Sequence, residues 1–174
     1  CGVIPLMLAA KTNASGIFGL EIQGEVAQMA KRSVRLNGLE DRVTIENVDF
    51  KEYDKRLFFD VITCNPPYKE KGGGLESENE YRAIARHEIC CTLKDVISVS
   101  ARLLKQKGRL NIIHRPERLA DIFCLMRKNS IEPKRIQFVH SGPHKKPSLV
   151  LIEGLKGGKP KLFFESPAYV NNES

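Results

Sequence analysis

The sequence predicts an α/β fold with a mostly parallel sheet that ends in an antiparallel strand pair. Two observations carry this reading. Strand-type and helix-type hydrophobic periodicities alternate along the chain without a repeat, and two late apolar runs are joined only by the short connection "GPHKKP" at residues 142–147. With 174 residues and 41% hydrophobic content the chain can bury one core, so a single domain over residues 1–174 is expected.

Each element has its own signal. "CGVIPLMLAAK" reads as a glycine turn running straight into a helix with no strand before it. Doubly wound sheets place their first strand there, so that strand is expected to be missing and the chain to be incomplete at its N-terminus. "IFGLEI" (17–22) is a compact strand, and "EVAQMAKRSVRL" spaces Val26, Ala30 and Val34 on one helical face before Asn37-Gly38 supplies a left-handed stop. "RVTIENVD" (42–49) and "FFDVITC" (58–64) are the next strands. Ile89, Leu93, Val96, Ser100 and Leu103 then recur at helical spacing, which predicts a long helix from near Asn79 to Leu104. "GRLNIIH" (108–114) is a strand, and Pro116 opens a helix with Leu119, Ile122, Phe123 and Met126 on one stripe. "RIQFVHS" (135–141) and "SLVLIEG" (148–154) are the closing pair.

Composition narrows the function classes. Apolar runs such as "VIPLMLAA" are far shorter than the roughly 20 residues of a membrane helix, and no cleavable signal pattern opens the chain, so a soluble, cytoplasmic protein is expected. The five cysteines, Cys1, Cys64, Cys90, Cys91 and Cys124, form no CxxC pair and no zinc-type spacing. They read as reduced, small, buried apolar residues, with no metal site. The net charge of +7 is unevenly spread: residues 1–87 balance at −1, whereas residues 88–174 carry +8. Such a bias suggests an anionic partner, nucleic acid first among them.

The stretch "DVITCNPPYKEKGGG" (60–74) ends a strand on two prolines and a tyrosine. Together with "GVIPLMLA", "GLEI", "NVDF", "ARHE", "PKRIQFVHS" and "LVLIEGLKGGKP", it resembles the class I S-adenosylmethionine-dependent methyltransferases, and within them the bacterial tRNA1(Val) adenine-37 N6-methyltransferase family. The resemblance spans nearly the whole chain. It implies a Rossmann-like sheet, S-adenosylmethionine as cofactor and a tRNA substrate. "NPPY" is shared by methyltransferases acting on amino groups of adenine, cytosine, guanine or glutamine amide, so it names a chemistry and leaves the acceptor to the C-terminal matches.

The chemistry accounts for the prolines. Methyl transfer to an exocyclic amine needs no strong base. It needs the nitrogen lone pair aimed in line, because conjugation with the ring makes that lone pair a poor nucleophile. Asn65 offers a side-chain oxygen to the amino group, and Pro66 a backbone carbonyl with no competing N–H. Pro66 and Pro67 stop the strand and keep Asn65 extended at the strand's carboxyl end, where open α/β sheets bind ligands. Tyr68 is then expected to stack on a target base turned out of its RNA stack.

Cofactor residues follow by position and resemblance. Glu21, at the end of the second strand, is placed to take both ribose hydroxyls, with Ile22 beside it. Asp49 resembles the acceptor for the cofactor's adenine amino group, with Phe50 near the ring. Gly2 looks like the last glycine of the methionine-side loop, and Asn65 borders both ligands. For RNA, Arg82, Arg86 and His87 lie near one another on the predicted helix, and Arg115 and Arg118 flank a helix start. Lys145 and Lys146 stand in the closing hairpin, and Arg102, Lys105, Lys134 and Arg135 add to the basic half. "KEKGGGLESENE" is expected to be a loop, either a flap over the substrate or a passive linker.

Three activities fit these residues: RNA adenine N6-methylation, N5-methylation of a glutamine in a protein such as a release factor, and noncatalytic RNA binding with a decayed cofactor site. NPPY, the basic half and the extent of the resemblance favour the first. A dinucleotide oxidoreductase has no use for NPPY and would show an intact GxGxxG.

Overall fold

A computed structural model describes residues 2–66 and 91–170. They fall in two compact units, residues 1–54 and 55–174, and each is taken by itself.

The first unit is built of α1 (Val3–Lys11), β1 (Ile17–Glu21), α2 (Gly24–Leu36) and β2 (Val43–Asn47). The two strands pair in parallel, Ile17 opposite Val43 through Glu21 opposite Asn47, so their carboxyl ends lie side by side. Helix α2 ends as Asn37-Gly38 predicts. Gly38 is left-handed at φ 62°, its N–H donates to the Arg35 carbonyl, and Leu39 N–H reaches back to Val34, a Schellman closure. The buried face of α2 is Ala27, Ala30 and Val34. Val26, expected on that face, is only half-buried, because the buried stripe runs through Ala27, Ala30 and Val34, at i, i+3 and i+7, and leaves Val26 at its edge. Ala9, Ile17, Val43 and Ile45 complete the core.

The second unit holds β3 (Phe59–Cys64), α3 (Leu93–Leu103), β4 (Leu104–His114), a 3-10 turn (Pro116–Arg118), α4 (Leu119–Lys128), β5 (Ile131–His140), β6 (Pro147–Lys156), β7 (Phe163–Phe164) and β8 (Ala168–Tyr169). The sheet order is β3-β4-β6-β5-β7, with β8 also on β5. β3 and β4 are parallel, β6 is antiparallel to both β4 and β5, and β7 and β8 are parallel to β5. The expected antiparallel pair is present, with its second strand inside the sheet. This order leaves β3, β4, β5 and β8 running the same way, with their carboxyl ends along one sheet edge.

Ile97, Leu104, Leu110, Ile112, Ile122, Met126, Ile131, Ile136, Val150 and Ile152 form the core of this unit. Of the stripe expected on α4, Ile122 and Met126 are fully buried, with Leu119 and Phe123 packed partly against the core. Cys124 is a correction: it is exposed, because it lies two residues from both Ile122 and Met126 and so faces away from them. Cys64 and Cys91 are half-buried, and Cys1 and Cys90 lie outside the described residues.

The helix over 93–103 also starts later than expected. Thr92 is its N-cap, with Oγ1 accepting from Asp95 N–H at 3.2 Å while an Asp95 carboxylate oxygen accepts from Thr92 N–H at 2.9 Å. This reciprocal capping box ends any helix coming from the N-terminal side, so apolar spacing that ran on across residue 92 does not mark one element. The predicted start near Asn79 lies outside the described residues. Asp95→Ala is expected to destabilise the fold by about 1 kcal/mol, read as a lower urea midpoint at unchanged slope.

Candidate functional site

In β3 the period of two runs past the strand's end. Ile62, Cys64 and Pro66 turn inward, while Val61, Thr63 and Asn65 are exposed. Asn65 therefore presents its amide at the carboxyl end of the strand, held there by a buried proline. Burial pushes the Cys64 thiol up to about 12, helped by nearby Cys91, so Cys64 stays protonated and unreactive beneath this turn. Pro67, Tyr68, Arg82, Arg86 and His87 lie outside the described residues.

One strand over, β4 pairs Ile112 with Cys64 and ends at His114, which is 2% exposed. Its Nδ1 accepts the Arg115 N–H at 2.8 Å, so the neutral ring carries its proton on Nε2. Burial is the main cause that lowers its pKa from 6.5, with the positive charges of Arg118 and Arg115 acting in the same direction. A group whose folded pKa is depressed binds fewer protons folded than unfolded. Its contribution to stability is therefore complete above pH 6.5 and is lost as pH falls from there through the folded value. Denaturant midpoints are expected to drop on acidification below pH 6.5, and His114→Asn is expected to flatten that part of the profile.

The basic residues divide between the two ends of this sheet. Arg115 is exposed after β4, its Nη1 donating to the Ser148 carbonyl at 3.4 Å, and Lys145 and Lys146 are exposed in the β5–β6 hairpin. All three belong to the carboxyl edge that carries Asn65. Arg118 is tied to Asp121 at 2.7 Å. Lys105 pairs with Asp60 at 2.9 Å at the start of β4, and Arg135 pairs with Glu165 at 2.8 Å near the middle of β5. Lys134 Nζ donates to the Lys159 carbonyl at 3.0 Å. The pairing order brings two further residues to the carboxyl edge that sequence reading missed, His140 at the end of β5 and Tyr169 on β8. A two-residue strand has no periodicity to reveal it.

In the first unit, Glu21 and Asn47 end adjacent parallel strands. Asn47 Nδ2 donates to the carbonyls of Glu21 at 2.8 Å and Ile22 at 3.0 Å, which fixes the chain just past β1. Glu21 Oε1 accepts Gln23 N–H at 3.0 Å, an anchor that leaves the carboxylate acceptor sites to spare. Asp49 follows β2, with Oδ1 accepting Lys51 N–H at 2.9 Å, and Phe50 beside it is half-buried. Ile22 is exposed. Gly2 caps α1 in the left-handed region at φ 72°, and an added Cβ would meet the Ala30 Cβ at 3.0 Å, so the turn needs glycine on both counts. The unit thus brings Glu21, Ile22, Asp49 and Phe50 to one pair of strand ends, as expected. A carboxylate at such an end suits vicinal ribose hydroxyls, and an aspartate with a neighbouring aromatic suits an aminopurine, so these residues fit an adenosine-bearing cofactor.

Among the described residues, no group of three or more His, Cys, Asp or Glu is placed to hold a metal ion, and no helix is long and apolar enough to cross a membrane.

Residues 6–146 match the family model UPF0020, the RMKL-like methyltransferase domain. A relative named tRNA1(Val) (adenine(37)-N6)-methyltransferase from Porphyromonas gingivalis is 29% identical over 157 residues, covering 87% of this chain and 61% of that protein. The chain spans about three fifths of the length of the curated relatives it matches. Among solved structures, a predicted O-methyltransferase from Agrobacterium tumefaciens matches with a TM-score of 0.78 at 19% identity, covering 99% of this chain and 78% of that one. A geranyl diphosphate methyltransferase in complex with S-adenosylmethionine matches with a TM-score of 0.62 at 12% identity, covering 87% and 73%. The α/β fold with its mixed sheet is that of the Rossmann-like methyltransferases.

Proposed function

Because the chain belongs to the UPF0020 family of RMKL-like methyltransferase domains, we propose that the protein methylates the N6 amino group of an adenine in tRNA with S-adenosylmethionine as donor. The observation that carries this reading is the end of β3, where an exposed Asn65 amide is seated on a buried Pro66. Asn65 Oδ1 and the Pro66 carbonyl accept the two amino hydrogens, which aims the nitrogen lone pair out of the base plane. Pro67 stiffens the turn, and Tyr68 stacks on the base. The clamp orients and takes up no proton, which agrees with an amine that needs positioning more than deprotonation.

The cofactor, when bound, supplies an electrophilic methyl group. Glu21 would hold its ribose, with Ile22 beside it, Asp49 would accept from its adenine amino group with Phe50 near the ring, and Gly2 would border the methionine side. The family model covers residues of both compact units, which supports one methyltransferase domain over residues 1–174. The name of the Porphyromonas gingivalis relative supports a tRNA substrate, and hence a cytoplasmic location. Arg82, Arg86, Arg115, Arg118, Lys145 and Lys146 contact tRNA phosphates in this reading.

Reversing the charge of Lys145 and Lys146 together is expected to reduce the salt dependence of tRNA binding, by a log-log slope of about 0.7 for each single-strand phosphate that is no longer neutralised, with S-adenosylmethionine affinity unchanged. A titration over a salt series reads both quantities. The reading as a whole is tested by nucleoside mass spectrometry of tRNA from a strain lacking the gene: N6-methyladenosine is expected to disappear from one tRNA species, and an unchanged level would refute the role.

A further inference from the structure

We propose that Tyr169 and His140, with Lys145 and Lys146 in the adjoining hairpin, form a second nucleobase-stacking site that grips a nucleotide several positions along the strand from the methylated one. The inference rests on the tRNA reading above and adds to its Lys145 and Lys146 phosphate contacts two rings that reading leaves unassigned.

The site is built by strand pairing within the second unit. β8 adds to β5 with Tyr169 opposite His140, and Val170 N–H donates to the His140 carbonyl at 2.9 Å, so the C-terminal segment is fixed along the sheet's carboxyl edge. The His140 ring is fixed in turn, its Nδ1–H donating to the Lys145 carbonyl at 2.7 Å. The two rings lie 5.7 Å apart, tilted by 43°. Tyr169 nevertheless remains 43% exposed and Val170 67% exposed. A large ring held by backbone pairing and left in solvent is a preorganised stacking platform, since little side-chain entropy remains to be lost when a base settles on it.

Charge chooses the occupant. Residues 134–170 contain seven Lys and Arg against two acidic residues, Glu153 and Glu165. Both carboxylates are already paired with arginines, Glu153 with Arg109 at 3.9 Å and Glu165 with Arg135 at 2.8 Å. Lys145 and Lys146 are exposed in the hairpin whose backbone anchors His140. Lys134 and Lys156 lie toward the other end of the β5–β6 pair and donate to backbone carbonyls, so the charge at this end of the pair is that of Lys145 and Lys146. An aromatic platform beside two exposed lysines suits a polyanion with unstacked bases better than an apolar protein surface.

Reach is consistent with one RNA strand. From β3 to β8 the order β3-β4-β6-β5-β8 makes four strand spacings, about 19 Å, with Arg115 on the way. A strand whose target base enters at Asn65 can therefore lay a nucleotide several positions away on Tyr169 while the intervening phosphates pass the exposed cations.

The test compares the protein with its Tyr169→Ala and Tyr169→Phe variants in binding and methylation of the same tRNA. Loss of one stacked base costs about 1–3 kcal/mol, so Tyr169→Ala is expected to weaken tRNA binding roughly 5- to 150-fold and to raise KM for tRNA. Turnover at saturating tRNA and S-adenosylmethionine affinity should stay near the parent's, and Tyr169→Phe should restore binding. An RNA cut back to the immediate neighbours of the target adenine should bind parent and Tyr169→Ala alike. Unchanged affinity for Tyr169→Ala in a parent that methylates tRNA would overturn the stacking site alone, as would equal losses in Ala and Phe variants of unchanged melting temperature. A parent that neither binds nor methylates tRNA would overturn the functional reading and this site with it.

Discussion

Replacing Asn65 by alanine is expected to lower turnover by about a hundredfold or more while S-adenosylmethionine affinity stays near the parent's. The size of the effect follows from what the residue supplies. The acceptor amine is already nucleophilic enough once its lone pair points at the methyl carbon, so losing one of two orienting acceptors removes most of what the protein contributes. A urea midpoint measured on the same variant separates lost turnover from lost fold. Single-turnover kinetics with saturating cofactor separate this from a binding defect. Parent-like turnover in Asn65→Ala would remove the clamp from the mechanism.

Glu21→Ala is expected to produce the complementary defect, a roughly ten- to hundredfold loss of cofactor affinity, since hydrogen bonds to a charged group are worth about 1.5–3 kcal/mol. Because Glu21 also accepts Gln23 N–H at 3.0 Å, the alanine variant removes a local anchor as well. Glu21→Gln keeps an oxygen for that N–H and loses only the charge, so it should fall between parent and alanine in calorimetric titrations. Equal loss of cofactor affinity in Glu21→Ala and Asn65→Ala would contradict the division of labour between the two strand ends.

Positions that follow from strand period were legible in the sequence. Asn65, Glu21 and Asp49 sit at or just past the carboxyl ends of short apolar runs, and a run's end can be located within a residue or two. Asn37-Gly38 was legible for the same local reason, since only glycine takes the left-handed turn cheaply. Elements set by competition were misplaced. The capping box at Thr92 and Asp95 interrupts an apolar spacing that otherwise looks continuous. β4 starts at Leu104, where pairing with Phe59 opens the ladder, and the polar "KQKG" then bulges out before the ladder resumes at Val61 and Arg109, with Lys107 left-handed at φ 65°. β5 likewise starts at Ile131 and carries Pro133 next to a register shift, a place where a missing N–H is tolerated. β7 and β8 exist only through pairing with β5 and have no pattern of their own. The basic surface was legible as charge but not as geometry. Which cations share an edge with Asn65 depends on the order β3-β4-β6-β5, and that order gathers Arg115, Lys145 and Lys146 while it leaves Lys105 at the opposite end of its strand.

The central claim is that an adenine amino group in tRNA receives the methyl group. Its most direct test is incubation of the protein with tRNA and S-adenosylmethionine labelled at the methyl carbon, followed by digestion and mass spectrometry of both RNA and protein. The account predicts label in N6-methyladenosine from one tRNA species, absent when Asn65→Ala replaces the parent. Label in a protein glutamine, or in no nucleoside while the protein binds S-adenosylmethionine, would contradict it.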